Sequence, residues 1–139
     1  MDSCIKVCVG AFVRQDKSIL LVKRKNPPDE GLWALPGGKV NFGEPLKRAV
    51  EREVKEETGL EVRAVKPIYV FEIFQGNLQE GKGEHFVIID FLTEYLGGRL
   101  SAADDALAAA WIEEEDLPHL PLSQYTSKFF REELGIDLS

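Results

Sequence analysis

The stretch Gly38 to Leu60, GKVNFGEPLKRAVEREVKEETGL, decides how this chain is read. Pro45 stands where a helix begins and Gly59 where one ends, so the spacing predicts a helix over residues 45–58. At about 100° per residue, with Leu46 set at zero, Val50 falls at about +40°, Val54 at about +80° and Ala49 at about −60°. These four residues define the buried stripe. On the same wheel Glu57 lands at about +20°, Glu53 at about −20° and Glu56 at about −80°. Two carboxylates therefore stand inside the apolar arc and a third at its edge. Lys47, Arg48, Glu51 and Lys55 occupy the opposite face, where charge belongs.

A buried carboxylate is costly unless it is paired or binds a metal, and like charges three and four residues apart repel. Cations between the carboxylates would remove both costs, and oxygen-only ligands suit Mg²⁺, with Mn²⁺ as a substitute. The competing explanation is ion pairing to Arg52 and nearby lysines. At about −120° on the wheel Arg52 lies on the polar flank, from which one carboxylate at most is expected to be in reach. Just upstream, Pro36-Gly37-Gly38 lets a ligand approach the main chain closely, and a glycine carbonyl can supply a metal oxygen. Glu44 sits at the helix start, where the dipole favours an anion, either as a simple cap or as a functional carboxylate.

Working outward, residues 6–14 and 19–24 read as strands joined by a turn at Asp16-Lys17. Residues 26–31 form a rigid loop, and Trp33 to Leu35 a short strand. A long strand lies within residues 62–75, a polar Gly-rich loop spans 76–84, and an apolar strand covers 86–95. A short strand over 108–112 carries Trp111. The last helix, 123–134, places Tyr125, Phe129, Phe130 and Leu134 on its apolar side, with Gly135 as its stop. The expected class is α+β, a mixed sheet with helices packed on its faces.

The chain has 139 residues, which suits one domain over residues 1–139. A chain of this size buries roughly 70% of its unfolded surface. With 44% hydrophobic and 29% charged residues the composition excludes disorder and low complexity. No apolar run reaches the roughly 18 residues of a membrane span, and the N-terminal residues lack a signal-peptide pattern. Lys plus Arg total 17 against 24 Asp plus Glu, a net charge of −7 that argues against a nucleic-acid partner. An anionic substrate would then need positive charge from a local patch or from bound cations. Cys4 and Cys8 stand roughly 13 Å apart along a strand, beyond disulfide reach. With no other cysteines, a reduced cytoplasmic protein is expected.

Taken as one pattern, Gly38, Glu44 and Arg52-Glu53-Val54-Lys55-Glu56-Glu57-Thr58-Gly59-Leu60 resemble the Nudix box, G-x5-E-x7-R-E-U-x-E-E-x-G-U, at every defined position. The flanking strands, the approach from Trp33 to Gly38 and Trp111 also look like the Nudix hydrolase family. The resemblance implies an α/β/α Nudix sandwich that hydrolyses a nucleoside diphosphate linked to another group. By the same resemblance Glu53, Glu56, Glu57 and the Gly38 carbonyl would hold Mg²⁺. Arg52 would orient a glutamate, and Glu44 would support the loop or bind metal through water. Members usually add an acidic residue from outside the box, here Asp105, with Asp104 and Glu84 as alternatives. Such cations would neutralise a pyrophosphate and acidify a bound water, and Glu53 or Glu56 would take its proton.

Lys23, Arg24, Lys25 and Lys39 are candidate phosphate contacts, and Trp33, Phe71 and Phe74 are candidate stacking partners for a base. Leu35-Pro36-Gly37-Gly38 and residues 85–91 look most like small prokaryotic members grouped with ADP-ribose pyrophosphatases and MutT. Where the ADP-ribose enzymes often carry a proline after the box, Gly76 stands here. Where dinucleoside polyphosphate hydrolases often carry a tyrosine, Leu78 stands here. ADP-ribose leads, with oxidised or ordinary nucleoside triphosphates second. A non-catalytic nucleotide sensor is the alternative of another kind. A homodimer is expected from the resemblance alone.

Residues 76–83 approach a P-loop pattern but lack its final Ser or Thr, and a strand follows instead of a helix. His85 and His119 have no metal-ligand spacing. Asp90 interrupts an apolar strand, either to face a cleft or to pair with a basic group.

Overall fold

The computed structural model describes residues 4–27, 29–102 and 106–138. Strand β1 (Ile5–Phe12) is central. It pairs in parallel with β7 (Lys82–Gly98) and antiparallel with the three-residue β5 (Gly37–Lys39). Strand β6 (Leu60–Asn77) closes this mixed sheet, whose order is β5-β1-β7-β6. A second sheet is built on β3 (Ser18–Arg24), which pairs with β2 (Arg14–Gln15), β4 (Trp33–Ala34) and β8 (Ala106–Glu113). Helix α1 (Leu46–Thr58) and helix α2 (Gln124–Leu134) complete the fold, with a 3-10 turn over Glu114–His119.

The two-residue alternation of the strands sorts the core into two layers. Val9, Ala11 and Leu20 pack with Ala49, Val50 and Val54 of α1. Phe12, Ile19 and Leu21 face the other way, onto Phe129 and Phe130 of α2. Each such Leu, Ile or Phe contributes about 1.5–3 kcal/mol by leaving water. Helices thus cover opposite faces, the α+β sandwich the sequence predicts. No helix among the described residues is long and apolar enough to cross a membrane.

Three details depart from the sequence reading. Pro45 is the cap residue, so α1 starts at Leu46, and Leu46 is 36% exposed instead of belonging to the buried stripe. Residues 46–48 are all exposed, and burial of the helix begins at Ala49. Gly37–Lys39, which the sequence reading assigned to no strand, pairs with β1. The expected loop over 76–84 is mostly strand: β6 and β7 form one long hairpin, paired as far as Asn77 and Lys82. Its tip closes with the Gly81 N–H donating to the Leu78 carbonyl. A hairpin needs only backbone pairing, so its polar tip carries no hydrophobic alternation to reveal it. Pro67 and Lys66 sit at register shifts of β6, which is the sheet edge, where a residue lacking N–H is tolerated.

Candidate active site

The segment from β5 to α1 wraps around the guanidinium of Arg52. Its Nε donates to Glu44 Oε2 at 2.7 Å and its Nη2 to Glu44 Oε1 at 2.9 Å, a bidentate pair. Nη1 donates to Glu53 Oε1 at 2.8 Å and to Glu56 Oε2 at 3.1 Å. Nη2 also reaches the Lys39 carbonyl at 3.0 Å. All five donors of the fork are used. The expectation that Arg52 reaches one helix carboxylate at most is therefore corrected. The wheel angle ignores a flexible stem that lets the planar head lie along the helix surface. It also omits Glu44, which the preceding loop folds back onto the same face.

Glu44 is not the side-chain cap of α1, since the cap position is Pro45 and receives no such bond. Instead its Oε1 accepts from the Asn41 N–H at 3.0 Å. Hydrogen bonds from Arg52 first, and from Asn41 second, pull its carboxyl down to about 2. Arg52 is correspondingly raised, chiefly by Glu44.

Glu57 is 6% exposed, the buried carboxylate that the wheel placed in the apolar arc. Its Oε1 accepts the Gly37 N–H at 2.7 Å, a charge-assisted bond that offsets part of its desolvation. Glu53 lies against Gly38: a Cβ there would stand 2.6 Å from Glu53 Oε2. The glycine is thus required by the carboxylate, and the backbone of β5 and the head of Glu53 share one small volume.

Both carboxylates open onto a cavity of about 550 Å³. Gly38, Arg24 and Lys39 line it as well, as do Phe71, Tyr125, Glu84 and Asp90. Phe71 stacks on Tyr125 at 5.3 Å and 18°. Ser123 donates to Asp29 at 2.6 Å and caps α2 by accepting from the Tyr125 N–H. This ties the loop after β3 to the helix at the cavity wall. Glu84 pairs with Lys6 at 2.8 Å, and that ammonium holds its carboxyl below the usual range.

The expected site residues are therefore distributed unevenly. Gly38, Glu53, Glu57, Arg24, Lys39 and Phe71 come together around the cavity. Glu56 joins the Arg52 cluster, with its side chain 42% exposed, outside the cavity lining. Trp33 packs against the α2 core layer, and its N–H donates to the Pro121 carbonyl. Phe74 is 55% exposed and lies against His85 at 4.5 Å. Neither is among the lining residues. Asp104 and Asp105 lie outside the described residues. Sequence reasoning missed Tyr125, which it took for the apolar face of α2, and left Asp90 undecided. A lone Asp in an apolar strand was the available signal for the latter.

The carboxylates suit a hard divalent cation: Glu53 and Glu57 stand with Gly38 at the cavity wall, and the one sulfur there, Cys8, has its thiol pushed up by burial, away from the thiolate a soft metal needs. Among the described residues no group of three acidic, His or Cys side chains is arranged to hold a cation alone. The expected grouping of Glu53, Glu56 and Glu57 around one cation is therefore not formed among these residues; the Arg52 guanidinium holds Glu56 instead.

Known proteins resemble this chain in sequence and in fold. An ADP-ribose pyrophosphatase of Methanocaldococcus jannaschii is 41% identical over 114 residues, covering 82% of this chain and 65% of that protein. A human 8-oxo-dGDP phosphatase is 31% identical over 116 residues, covering 81% of this chain and 33% of that protein. The chain thus spans under two thirds of the length of these curated relatives. The crystal structure of a MutT NUDIX hydrolase from Burkholderia pseudomallei superposes with a TM-score of 0.73 at 32% identity, covering 94% of this chain and 98% of that one. The model of the NUDIX domain matches residues 5–136, the span that builds both the Arg52 cluster and the cavity, and the chain belongs to that family.

Proposed function

We propose that this chain is a metal-dependent pyrophosphohydrolase that cleaves the phosphoanhydride of a nucleoside diphosphate linked to another group, with ADP-ribose as the leading substrate. One observation carries the reading: the box carboxylates Glu53 and Glu57 share a cavity with Arg24, Lys39 and an aromatic wall. The Methanocaldococcus relative, named for ADP-ribose, supports the choice of substrate. The human relative, named for 8-oxo-dGDP, supports oxidised nucleotides as the second reading.

In this reading Glu53, Glu57 and the Gly38 carbonyl hold Mg²⁺ or Mn²⁺, with Glu56 and Asp105 as the further ligands implied by the family pattern. The cation supplies charge neutralisation for the pyrophosphate and a lowered pKa for water. Arg24 and Lys39 draw the phosphates into an otherwise acidic chain. Glu53, which lines the cavity, is favoured over Glu56 to take the proton of the attacking water. Arg52 positions Glu53 by holding one of its oxygens, leaving the head no rotation. The acceptor is water and the products are two phosphomonoesters.

The test is a panel of nucleotides assayed with Mg²⁺, including ADP-ribose, nucleoside triphosphates and 8-oxo-dGTP. AMP and ribose 5-phosphate are expected from ADP-ribose. Glu57→Gln is expected to lose at least a hundredfold in kcat while staying folded. Tight nucleotide binding without turnover, whatever the divalent cation, would instead establish a sensor.

A further inference from the structure

Asp90 lies on β7, in the middle of the mixed sheet. Residues 86 to 92 are otherwise apolar. It is 4% exposed, and its carboxyl leans over Gly10, its register partner on β1, where any side chain would collide with it. No described residue makes a hydrogen bond or an ion pair with it, and the only influence on its acidity is burial. Yet every solvent-inaccessible side-chain nitrogen or oxygen among the described residues has a hydrogen-bond partner. The Asp90 oxygens must therefore open onto the one space beside them, the cavity that Asp90 helps to line. A carboxyl buried this deeply costs stability unless something pairs with it.

The position says what could pair with it. Gly10 is the register partner of both Asp90 on β7 and Gly37 on β5. Asp90 and the Glu57-bound edge are thus two strand spacings apart, about 10 Å. On β6, Tyr69 is the register partner of Asp90, and Phe71 is one diagonal step away on the same face. A nucleotide with its diphosphate at Glu53 and Glu57 would carry its base towards Phe71, Tyr125 and Asp90.

We propose that Asp90 is a specificity-determining residue that reads the edge of an amino-purine, its carboxyl accepting from the exocyclic N–H and donating to the adjacent ring nitrogen. This rests on the hydrolase reading above and names the base end of the same site. Burial pushes the Asp90 carboxyl up to about 7, so near neutral pH it holds the proton that donation requires. Tyr69, its register partner on β6, is itself raised to about 12, chiefly by burial and only slightly by Asp90. A neutral carboxyl offers one donor and one acceptor side by side, which an ionised one cannot.

The experiment measures dissociation constants by calorimetric titration with AMP and with purine riboside 5′-monophosphate, which lacks only the 6-amino group. Wild type, Asp90→Ala and Asp90→Asn are compared at pH 6.5. Wild type is expected to prefer AMP by about tenfold, the loss of one or two buried hydrogen bonds. Asp90→Ala is expected to bind both equally, and Asp90→Asn to restore the preference, since an amide also offers a donor and an acceptor. Equal binding of both nucleotides by wild type, or an undiminished preference in Asp90→Ala, overturns the proposal. The preference is a ratio on one sample, so partial misfolding does not mimic it. Turnover of the substrate panel by the same samples reports separately on the hydrolase reading.

Discussion

At the scale of the residue, the site depends on Arg52. A surface ion pair is worth little by itself, but this side chain holds three carboxylates and a carbonyl in fixed positions. Its contribution is geometric: it decides which way Glu53 faces. Glu44 has the opposite duty of anchoring Arg52, and its lowered pKa gives a handle. A carboxyl depressed in the folded state stabilises fully above its unfolded pKa, 4.5, and loses that contribution as pH falls towards about 2. Glu44→Gln is therefore expected to lower the melting temperature at pH 6, with the gap to wild type closing between pH 4.5 and 2. A gap unchanged at pH 2.5 in thermal scans would show that Arg52 gains nothing from the Glu44 charge. None of this network was legible from the wheel. Angular position predicts which face a Cβ takes, and it does not predict where a long guanidinium stem ends.

At the scale of the element, α1 and β5 form a single device. Periodicity correctly placed Val50, Val54 and Glu57 inward, because burial on a helix follows its repeat whatever the chemistry. The pattern of Gly38 and the carboxylates was equally readable, since it lies within one contiguous stretch. The strand pairing of β5 and the long β6–β7 hairpin were not, because their stabilising groups are backbone atoms common to every residue. Gly38→Ala tests the device. Its Cβ would stand 2.6–2.8 Å from the Glu53 carboxyl, a flexible group that can shift where backbone could not. The fold is expected to survive with a melting temperature within a few degrees of wild type, while kcat falls by roughly a hundredfold as Glu53 is displaced. Full activity in a folded Gly38→Ala enzyme would mean that the position of Glu53 is not critical.

At the scale of the whole molecule, an excess of negative charge surrounds a site proposed for an anion. The net charge of −7 repels a diphosphate in bulk. The cavity counters it locally with Arg24 and Lys39 and, in the proposed mechanism, with cations. The aromatic and Asp90 end of the cavity comes from Phe71 of β6, Asp90 of β7 and Tyr125 of α2, residues that lie outside the box. This is why the family was legible in the chain and the far end of the cavity was not. Trp33 and Phe74 illustrate the limit: composition marks them as aromatic, and only the fold shows one in the core and the other on the hairpin arm. The central claim is that Glu57, buried, and Glu53, half-buried, stand beside Gly37 and Gly38 to receive a divalent cation. Crystals soaked in Mn²⁺ and measured at the manganese edge should show an anomalous peak within coordinating distance of both carboxylates and the Gly38 carbonyl. An empty map there, in crystals where manganese binds elsewhere, would contradict it.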